Sequence, residues 1–284
     1  MKDLAYYNGE IAAVNELKIP ALDRAIYFGD GVYDVVSIYN GKYFALDDHL
    51  NRFESSCRLI DIEPPFTKDE MRELFDSLLK KVDFLKEGTI YWQCSRGVAS
   101  RNHVYPKDTK PSLLAFIRPA NFASSDKPLK LITVPDIRFS MCNVKTIDLL
   151  PNVIASQRAD VAGCNEAVFI RDGIATECSH SGLAIIKDGA FITHPADCHI
   201  LPSIARKHTM EICEKLGIPV IEREFDENEL LDADEILILS TTKLCSYASV
   251  IDGKNVGGKA QETVKKIQNA YKQKINDELD DKIF

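Results

Sequence analysis

The chain has 284 residues, of which 45% are hydrophobic and 27% are charged, as in an ordinary folded protein. This length is long for one hydrophobic core and suits two domains. A net charge of −8 at pH 7 argues against a nucleic-acid-binding surface. No apolar run approaches the roughly 20 residues that span a bilayer, and the first residues lack the apolar stretch of a signal peptide. We therefore expect neither nucleic acid nor membrane as a partner.

The eight cysteines are scattered along the chain and form no Cys-x-x-Cys pair. Unpaired thiols of this kind are typical of the reducing cytoplasm, where we expect the protein. Cys198, His199, His208 and Cys213 resemble a metal-binding set, but their spacing matches no zinc pattern. A helix is also predicted through the middle of this set, from Ser203 to Gly217. We therefore predict no metal site.

The first part of the chain alternates strands, hairpins and helices. Asn40-Gly41, a strong hairpin signal, separates the predicted strands Val35–Tyr39 and Lys42–Leu46. Asp47 or Asp48 is expected to cap the helix that follows. Thr67-Lys68-Asp69-Glu70 has the pattern of a capping box and predicts a second helix.

Two further strands are predicted from Thr89 to Ser95 and from Ser112 to Ile117. Residues 119–128 have the composition of a linker, with prolines at both ends and small polar residues between them. The sequence therefore predicts a small N-terminal domain over residues 1–118, a linker over 119–128 and a larger C-terminal domain over 129–284.

The predicted second domain mixes strands with three helices. The predicted helices are Leu150–Ala162, Ser203–Gly217 and a C-terminal helix from about Lys259. The predicted strands are Leu129–Val134, Ala167–Arg171, Leu183–Ile186, Ala190–Thr193, Pro219–Glu222, Ile236–Leu239 and Tyr247–Ile251. Because strands and helices do not alternate regularly, the pattern favours an α+β fold over a doubly wound sheet.

Lys145 and Glu177 are the residues whose surroundings point to chemistry. Lys145 lies among apolar neighbours, such as Val144 and Ile147, and desolvation there disfavours the ammonium form. A neutral lysine amine can hold pyridoxal phosphate as a Schiff base. The Glu177 carboxylate could then pair with a protonated pyridine nitrogen. Each residue alone also has a plainer interpretation, a solvated surface lysine and a strand-end carboxylate exposed to water.

Several motifs occur in a specific order along nearly the whole chain, from about Tyr7 to about Gly253. They are Asp23-Arg24-Ala25-Ile26-Tyr27-Phe28-Gly29-Asp30-Gly31-Val32-Tyr33-Asp34, His49-Leu50-Asn51-Arg52, Ser95-Arg96-Gly97, Arg101-Asn102-His103, Lys145, Thr176-Glu177-Cys178-Ser179-His180-Ser181, Thr193-His194-Pro195, Ile200-Leu201-Pro202-Ser203-Ile204-Ala205-Arg206 and Ser240-Thr241-Thr242. In this order the chain resembles the class IV, pyridoxal-phosphate-dependent aminotransferases, and within them most closely the D-amino-acid (D-alanine) aminotransferases.

The resemblance implies a two-domain architecture with a barrel-like sheet in the larger, cofactor-binding domain. It also implies that Lys145 is the Schiff-base lysine and proton carrier, and that Glu177 is the partner of the pyridine nitrogen. The cofactor phosphate is expected on Arg52, on the helix start Ser203-Ile204-Ala205 and on Thr241, because arginine and helix N-terminal amides bind anions. Relatives often have threonine where this chain has Ala205, so one hydroxyl contact to the phosphate is lost.

The substrate α-carboxylate is expected on Tyr33, Arg101 and His103, of which the Arg-x-His loop reaches in from a partner subunit in these enzymes. The resemblance thus implies a homodimer that exchanges the amino group of a D-amino acid, typically D-alanine, with a 2-oxo acid such as 2-oxoglutarate. His180 is expected either near the cofactor or in ordering the Glu177 loop. Neither the range of accepted side chains nor the physiological acceptor follows from the sequence.

Three alternative functions use the same scaffold. An aminodeoxychorismate lyase would release pyruvate without an amino acceptor, and a branched-chain L-amino-acid aminotransferase would accept L-leucine. A pyridoxal-phosphate-binding protein without catalysis would retain the cofactor and react with no amino acid. The intact Arg101-Asn102-His103 motif favours the D-specific aminotransferase.

Overall fold

The computed structural model describes residues 3–83, 86–122 and 125–284. The chain divides into two compact units, which are Met1–Asn121 with Val144–Asp148, and Phe122–Asn143 with Leu149–Phe284. The division after Asn121 falls within the predicted linker, residues 119–128. Residues 123 and 124 of that linker, like Met1 and Lys2, lie outside the described residues.

The described part of the N-terminal unit is built on a six-stranded sheet with the order β2-β1-β6-β5-β3-β4. Its strands are β1 (Leu4–Tyr7), β2 (Glu10–Ala12), β3 (Gly31–Tyr39), β4 (Lys42–Tyr43), β5 (Glu87–Ser95) and β6 (Ser112–Pro119). Its helices are α1 (Arg24–Phe28), α2 (Leu46–Leu59) and α3 (Lys68–Leu79). Neighbouring strands pair antiparallel throughout this sheet.

The core of the N-terminal unit lies between the sheet and helices α2 and α3. Trp92 of β5 is fully buried there and packs against Phe53 of α2 and Phe75 of α3, with ring centroids 5.9 and 4.9 Å away. Successive residues of a strand face opposite sides of a sheet. Val32 and Val36 of β3 therefore face this core, and Asp34 lies on the same side of β3.

One predicted turn and two predicted helix caps of this unit can be compared with the structure. The hairpin at Asn40-Gly41 is confirmed, with φ angles of 46° and 76° at the two turn residues. The capping box at Thr67 is confirmed as well. The predicted cap of α2 at Asp47 or Asp48 is wrong, because the helix begins at Leu46 and both aspartates lie in its first turn.

The five residues Val144–Asp148 belong to the N-terminal unit, although the sequence predicts them within the second domain. Thr146 forms an antiparallel bridge with Val32 of β3. The amide of Ile147 donates to the carbonyl of Gly31 at 3.1 Å. These backbone hydrogen bonds join the segment to the first sheet, and local sequence patterns do not report such a long-range pairing.

The described part of the C-terminal unit is built on a nine-stranded sheet with the order β12-β11-β10-β13-β14-β7-β8-β9, and β15 pairs with β14. Its strands are β7 (Leu129–Pro135), β8 (Glu166–Arg171), β9 (Ile174–Cys178), β10 (Gly182–Lys187), β11 (Ala190–Thr193), β12 (Val220–Glu222), β13 (Glu235–Ser240), β14 (Leu244–Ile251) and β15 (Lys254–Asn255). Its helices are α4 (Leu150–Val161), α5 (Ile204–Lys215), α6 (Glu227–Leu231) and α7 (Gln261–Leu279).

Parallel pairs in this sheet are β11 with β12, β14 with β7, and β7 with β8, and the other described pairs are antiparallel. Strand β13 is buried along nearly its whole length. Ile236 and Ile238 belong to one apolar cluster, while helices α5 and α7 pack on β13 and β14. Parallel and antiparallel strands with segregated helices confirm the predicted α+β class.

Across residues 3–83, 86–122 and 125–284, no helix combines the length and the apolar character that crossing a bilayer requires.

Candidate active site

Lys145 is held by backbone hydrogen bonds to two elements of the N-terminal unit. Its carbonyl accepts from the amide of Tyr33 in β3 at 2.9 Å. Its own amide donates to the hydroxyl of Ser56 in α2 at 3.1 Å. The backbone at Lys145 is therefore fixed on both sides, which is what a side chain with a defined chemical task needs.

The side chain of Lys145 lies against the aromatic ring of Tyr33. The Nζ atom is 4.3 Å from the centroid of that ring, and Tyr91 stacks on the same ring with centroids 5.4 Å apart. Lys145 is half-buried. The structure thus brings together the predicted catalytic lysine and one of the three predicted substrate-binding residues.

Arg52 lies on α2, one turn before Ser56, and is anchored by a buried carboxylate. Its Nε and Nη2 atoms donate to the two carboxylate oxygens of Asp34, at 2.9 and 2.7 Å. His49 contributes a third contact to Asp34, from Nδ1 at 2.8 Å. The side chain of Asp34 is fully buried and that of Arg52 is 8% exposed. The paired, bidentate geometry fixes the plane of the guanidinium group.

Burial and neighbouring charges shift the pKa values of Asp34 and His49. Burial opposes ionisation of Asp34, but the neighbouring Arg52 and His49 outweigh it and hold the pKa of this carboxyl below its usual range. Burial lowers the pKa of His49, with further lowering from Arg52 and Lys145, while Asp34 acts in the opposite direction. Sequence reasoning assigned no role to Asp34 or His49. The His49-x-x-Arg52 spacing, which puts both on one helix face, is the signal that could have found His49.

Arg101 and His103 lie in an exposed loop of the N-terminal unit and both pack on the ring of Phe28. The guanidinium carbon of Arg101 is 5.1 Å from the ring centroid, and the His103 ring is 5.0 Å away. Arg24 of α1 holds the loop by donating to the carbonyl of Asn102 at 2.6 Å. The two basic side chains of the Arg-x-His motif are thus presented together on the surface of the unit.

Glu177 lies near the end of β9 in the C-terminal unit and is only 8% exposed. Its Oε2 atom accepts from the amide of Leu201 at 3.1 Å. Its Oε1 atom accepts from Nη1 of Arg138. The interpretation of Glu177 as a strand-end carboxylate exposed to water is therefore wrong. Sequence reasoning missed Arg138.

Ser203 caps helix α5, since its hydroxyl accepts from the amide of Arg206 at 3.2 Å. Ile204 and Ala205 occupy the first turn of that helix, where the helix itself offers their amides no acceptor. Such amides and the helix dipole favour a bound anion. Thr241, the other residue of this unit predicted to bind the phosphate, lies in the turn after β13.

The start of α5 and the turn that contains Thr241 both lie near the start of β10, at one end of the sheet. A side chain on Gly182 would meet the Cβ atom of Ser203 at 3.5 Å. Gly182 is also the register partner of Leu239 in β13, two residues before Thr241. The residues predicted to bind the phosphate in this unit therefore lie at the same end of β10 and β13.

The donor set fits pyridoxal phosphate. Lys145 has a primary amine, the group that an aldehyde requires, and Glu177 has a buried carboxylate, the group that a protonated ring nitrogen requires. Arg52 is a cation, and the first turn of α5 has free helix N-terminal amides, and both kinds of group bind phosphates. The aldehyde, the ring nitrogen and the phosphate of the cofactor each have a chemically matching group in the chain.

His180 is bound to the buried carboxylate of Glu166. The backbone amide of His180 donates to Oε1 at 2.9 Å, and its Nε2 atom lies 3.3 Å from Oε2. The hydroxyl of Ser181 donates to the same carboxylate at 3.0 Å. These contacts tie down the turn between β9 and β10, so the structure favours the role of ordering the loop after Glu177.

One cluster of the described residues has the composition of a metal site. The donor atoms of His194, Asp197 and His199 lie within 4.8 Å of one another. Nδ1 of His194 already contacts the carbonyl of Pro195 at 2.9 Å, and Asp197 accepts from the amide of His199 at 2.8 Å. These bonds account for the loop geometry without an ion. The absence of a metal site stays a prediction.

Comparisons with known proteins show the family of the chain. The family model of the class IV amino-transferases matches residues 31–251. The D-alanine aminotransferase of Listeria innocua is 36% identical over 274 residues, which are 94% of each chain. That of Bacillus licheniformis is 34% identical over 272 residues, which are 95% of this chain and 96% of the relative.

Solved structures show the same fold. The branched-chain aminotransferase of Thermoproteus uzoniensis, with norvaline, has a TM-score of 0.87 at 22% identity, over 97% of this chain and 95% of that chain. The branched-chain amino acid aminotransferase of Escherichia coli has a TM-score of 0.86 at 20% identity, over 95% of this chain and 93% of that chain. The fold that the sequence motifs implied is confirmed.

Proposed function

The chain belongs to the class IV aminotransferases, and we propose that it transfers the amino group of a D-amino acid, typically D-alanine, to a 2-oxo acid, typically 2-oxoglutarate. The observation that carries this proposal is the contact between Lys145 and Tyr33. In this contact the Lys145 amine, which would move the substrate proton, lies next to Tyr33, whose phenol would bind the substrate carboxylate. The D-alanine aminotransferases that match nearly the whole chain support it.

Bound pyridoxal phosphate supplies an aldehyde that condenses with amines and a ring that accepts electrons from the substrate Cα. We propose that Lys145 is the residue that binds the aldehyde. Glu177 is proposed to keep the ring nitrogen protonated. Arg52, Ser203, Ile204, Ala205 and Thr241 are proposed to bind the phosphate.

With a substrate bound, the Lys145 amine would act as a general base and then as a general acid. It would take the proton from the substrate Cα and return it to the carbon that receives the amino group. Tyr33, with Arg101 and His103 of the partner subunit, would hold the carboxylate on one side. This decides the hand of amino acid whose Cα–H faces Lys145. The reverse half-reaction with a 2-oxo acid returns the enzyme to its starting form.

The test is a visible spectrum of the purified protein with pyridoxal phosphate, titrated with D- and L-amino acids. D-Alanine should convert the cofactor absorbance to that of pyridoxamine phosphate and release pyruvate. Lys145→Ala should abolish both changes. Conversion by L-alanine but not by D-alanine would contradict the stereochemical assignment.

A second candidate is a branched-chain L-amino-acid aminotransferase, which the fold neighbours favour. In the same titration, L-leucine would then react and D-alanine would not. The D-alanine aminotransferases are the more similar relatives in sequence, at 34 to 36% identity against 20 to 22% for the fold neighbours.

We also propose a homodimer. Large apolar side chains are exposed on both units, which is unusual for a surface that faces only water. They include Val104, Tyr105, Ile137, Phe139, Met141, Leu150 and Val153, each at least 50% exposed. Light scattering after size exclusion should give twice the chain mass of 31.8 kDa. A monomer at micromolar concentration would contradict the proposal.

We propose a cytoplasmic location because all eight cysteines are free thiols. Free thiols are typical of a reducing compartment. Cell fractionation should find the protein with cytoplasmic markers, and enrichment in a membrane or extracellular fraction would contradict this assignment.

A further inference from the structure

Four charged side chains of the C-terminal unit form a continuous chain that ends at Glu177. Nη1 of Arg138 donates to Oε1 of Glu177. Nε and Nη2 of the same arginine donate to the two oxygens of Asp136, at 2.9 and 2.8 Å. Arg171 donates from Nε to Oδ2 of Asp136 at 3.0 Å. Two cations and two anions alternate, so the quartet has no net formal charge.

The four charged side chains are shielded from water, so the ion pairs between them are important for stability. The side chains of Asp136, Arg138, Glu177 and Arg171 are 0, 6, 10 and 16% exposed. The guanidinium carbon of Arg138 lies 4.2 Å from the ring centroid of Phe169, which covers one face of the group. A charge left unpaired in such surroundings is strongly unfavourable, whereas a paired one is held in a single geometry.

We propose that Arg138 is a positioning residue that fixes the Glu177 carboxylate towards the ring nitrogen of the cofactor, and that Asp136 balances the charge of Arg138. This inference rests on the proposed function, because it takes Glu177 to be the partner of that nitrogen. Arg138 acts through Glu177 and is assigned no contact with the substrate.

The orientation of Glu177 follows from its two bonds. Arg138 holds one oxygen and the amide of Leu201 holds the other. A carboxylate fixed at both oxygens cannot rotate freely, and each carboxylate oxygen can accept more than one hydrogen bond. A ring N–H group would therefore meet an acceptor that is already oriented, without the cost of ordering it on binding.

The charge balance follows from Asp136. Burial opposes ionisation of Asp136, but hydrogen bonds from Arg138 and Arg171 outweigh it and lower the pKa of this carboxyl to about 2. Asp136 is thus an anion at neutral pH and shares the charge of Arg138. Without Asp136, the whole charge of Arg138 would act on Glu177 and weaken its attraction for a proton on the cofactor ring.

The test compares Arg138→Met, Arg138→Lys and Asp136→Asn with Arg223→Met. Arg223 is a matched control, since it pairs with Glu229 in the same unit and is 42% exposed. The affinity of the cofactor-free protein for pyridoxal phosphate and the pH dependence of the bound cofactor's visible spectrum are measured beside kcat and KM for D-alanine. Thermal unfolding of each cofactor-free variant shows whether it is folded.

Arg138→Met should weaken pyridoxal phosphate binding roughly ten- to hundredfold and lower kcat more than it raises KM, as expected for a lost charged hydrogen bond. Arg138→Lys should restore part of the loss. Asp136→Asn should lower the pH at which the bound cofactor's ring nitrogen loses its proton, as followed in the visible spectrum. Arg223→Met should leave all these quantities unchanged.

A double-mutant cycle with Glu177→Gln separates positioning from a general structural role. If Arg138 acts through Glu177, Arg138→Met should cost much less cofactor affinity in the Glu177→Gln background than in the wild type. An equal loss in both backgrounds would overturn the inference and leave the proposed function standing. A wild-type protein that binds no pyridoxal phosphate would overturn the proposed function as well.

Discussion

His49 gives the N-terminal unit a pH-dependent stability at the scale of one residue. Burial lowers its pKa, and Asp34 only partly offsets this. A histidine with a lowered pKa binds fewer protons in the folded than in the unfolded state. Its contribution to the free energy of unfolding is therefore complete above the unfolded pKa of about 6.5 and is lost as the pH falls towards the folded pKa.

The midpoint of thermal unfolding should accordingly fall as the pH is lowered from about 8 to about 5.5, a range that spans the ordinary pKa of histidine. In a His49→Gln variant that fall should be smaller, although its stability at the upper end of the range is lower because a contact to Asp34 is weakened. Differential scanning calorimetry across this pH range is the measurement. Equal pH dependence in both proteins would show that His49 is not the titrating group.

Arg101 supports a prediction on substrate binding. Its guanidinium group is exposed and packs on Phe28, with no role in the core of the unit. Arg101→Met should therefore raise the KM for D-alanine roughly ten- to hundredfold and leave the affinity for pyridoxal phosphate unchanged. Arg58→Met is the control, because Arg58 is 73% exposed and pairs only with Glu54 among the contacts described. Identical kinetics for the two variants would refute the role of Arg101.

At the scale of an element, helix α3 depends on its capping box. The Thr67 hydroxyl accepts from the amide of Glu70 at 3.3 Å, and the Glu70 carboxylate accepts from the amide of Thr67 at 2.8 Å. Thr67→Ala should lower the free energy of unfolding by about 1 kcal/mol. Glu73→Ala, an exposed position of the same helix, should change it by less than about 0.5 kcal/mol. Urea unfolding monitored by circular dichroism measures both, and equal effects would contradict the capping role.

Helix α3 also shows which elements local sequence rules predict. The Thr67 capping box and the Asn40-Gly41 turn are complete within a few residues, and the structure confirms both. The short elements β1, β2, α1 and α6 were not predicted. They span three to five residues, and so few residues give only a weak periodic pattern. The start of α2 at Leu46 differed from the prediction, since Ala45 enters the helix from a left-handed conformation with φ of 57°.

For the candidate site, too, some residues were predicted from the sequence and others were not. Lys145, Glu177, Arg52 and Ser203 were predicted from the sequence because they occur in the ordered series of motifs. Arg138 was not predicted, because its partner Glu177 is 39 residues away along the chain. The acidic–basic pair at positions i and i+2, Asp136 and Arg138, was the available local signal. In an extended segment such residues lie on one side and can pair.

At the scale of the whole molecule, the Lys145 segment belongs to the sheet of the N-terminal unit. Its amides should therefore exchange hydrogen together with β3 and more slowly than those of the exposed residues 18–22. Hydrogen exchange followed by mass spectrometry resolves peptides of this size. Exchange of the peptide around Lys145 as fast as that of residues 18–22 would show that its pairing with β3 is not stable.

The path of the chain between the units has a consequence for a nicked protein. The chain passes from one unit to the other after Asn121, after Asn143 and after Asp148. A single protease cut near residue 122 would leave the C-terminal fragment still carrying the segment that pairs with β3 of the N-terminal sheet. The two fragments should therefore stay associated and travel as one species on a native gel, separating only in denaturant.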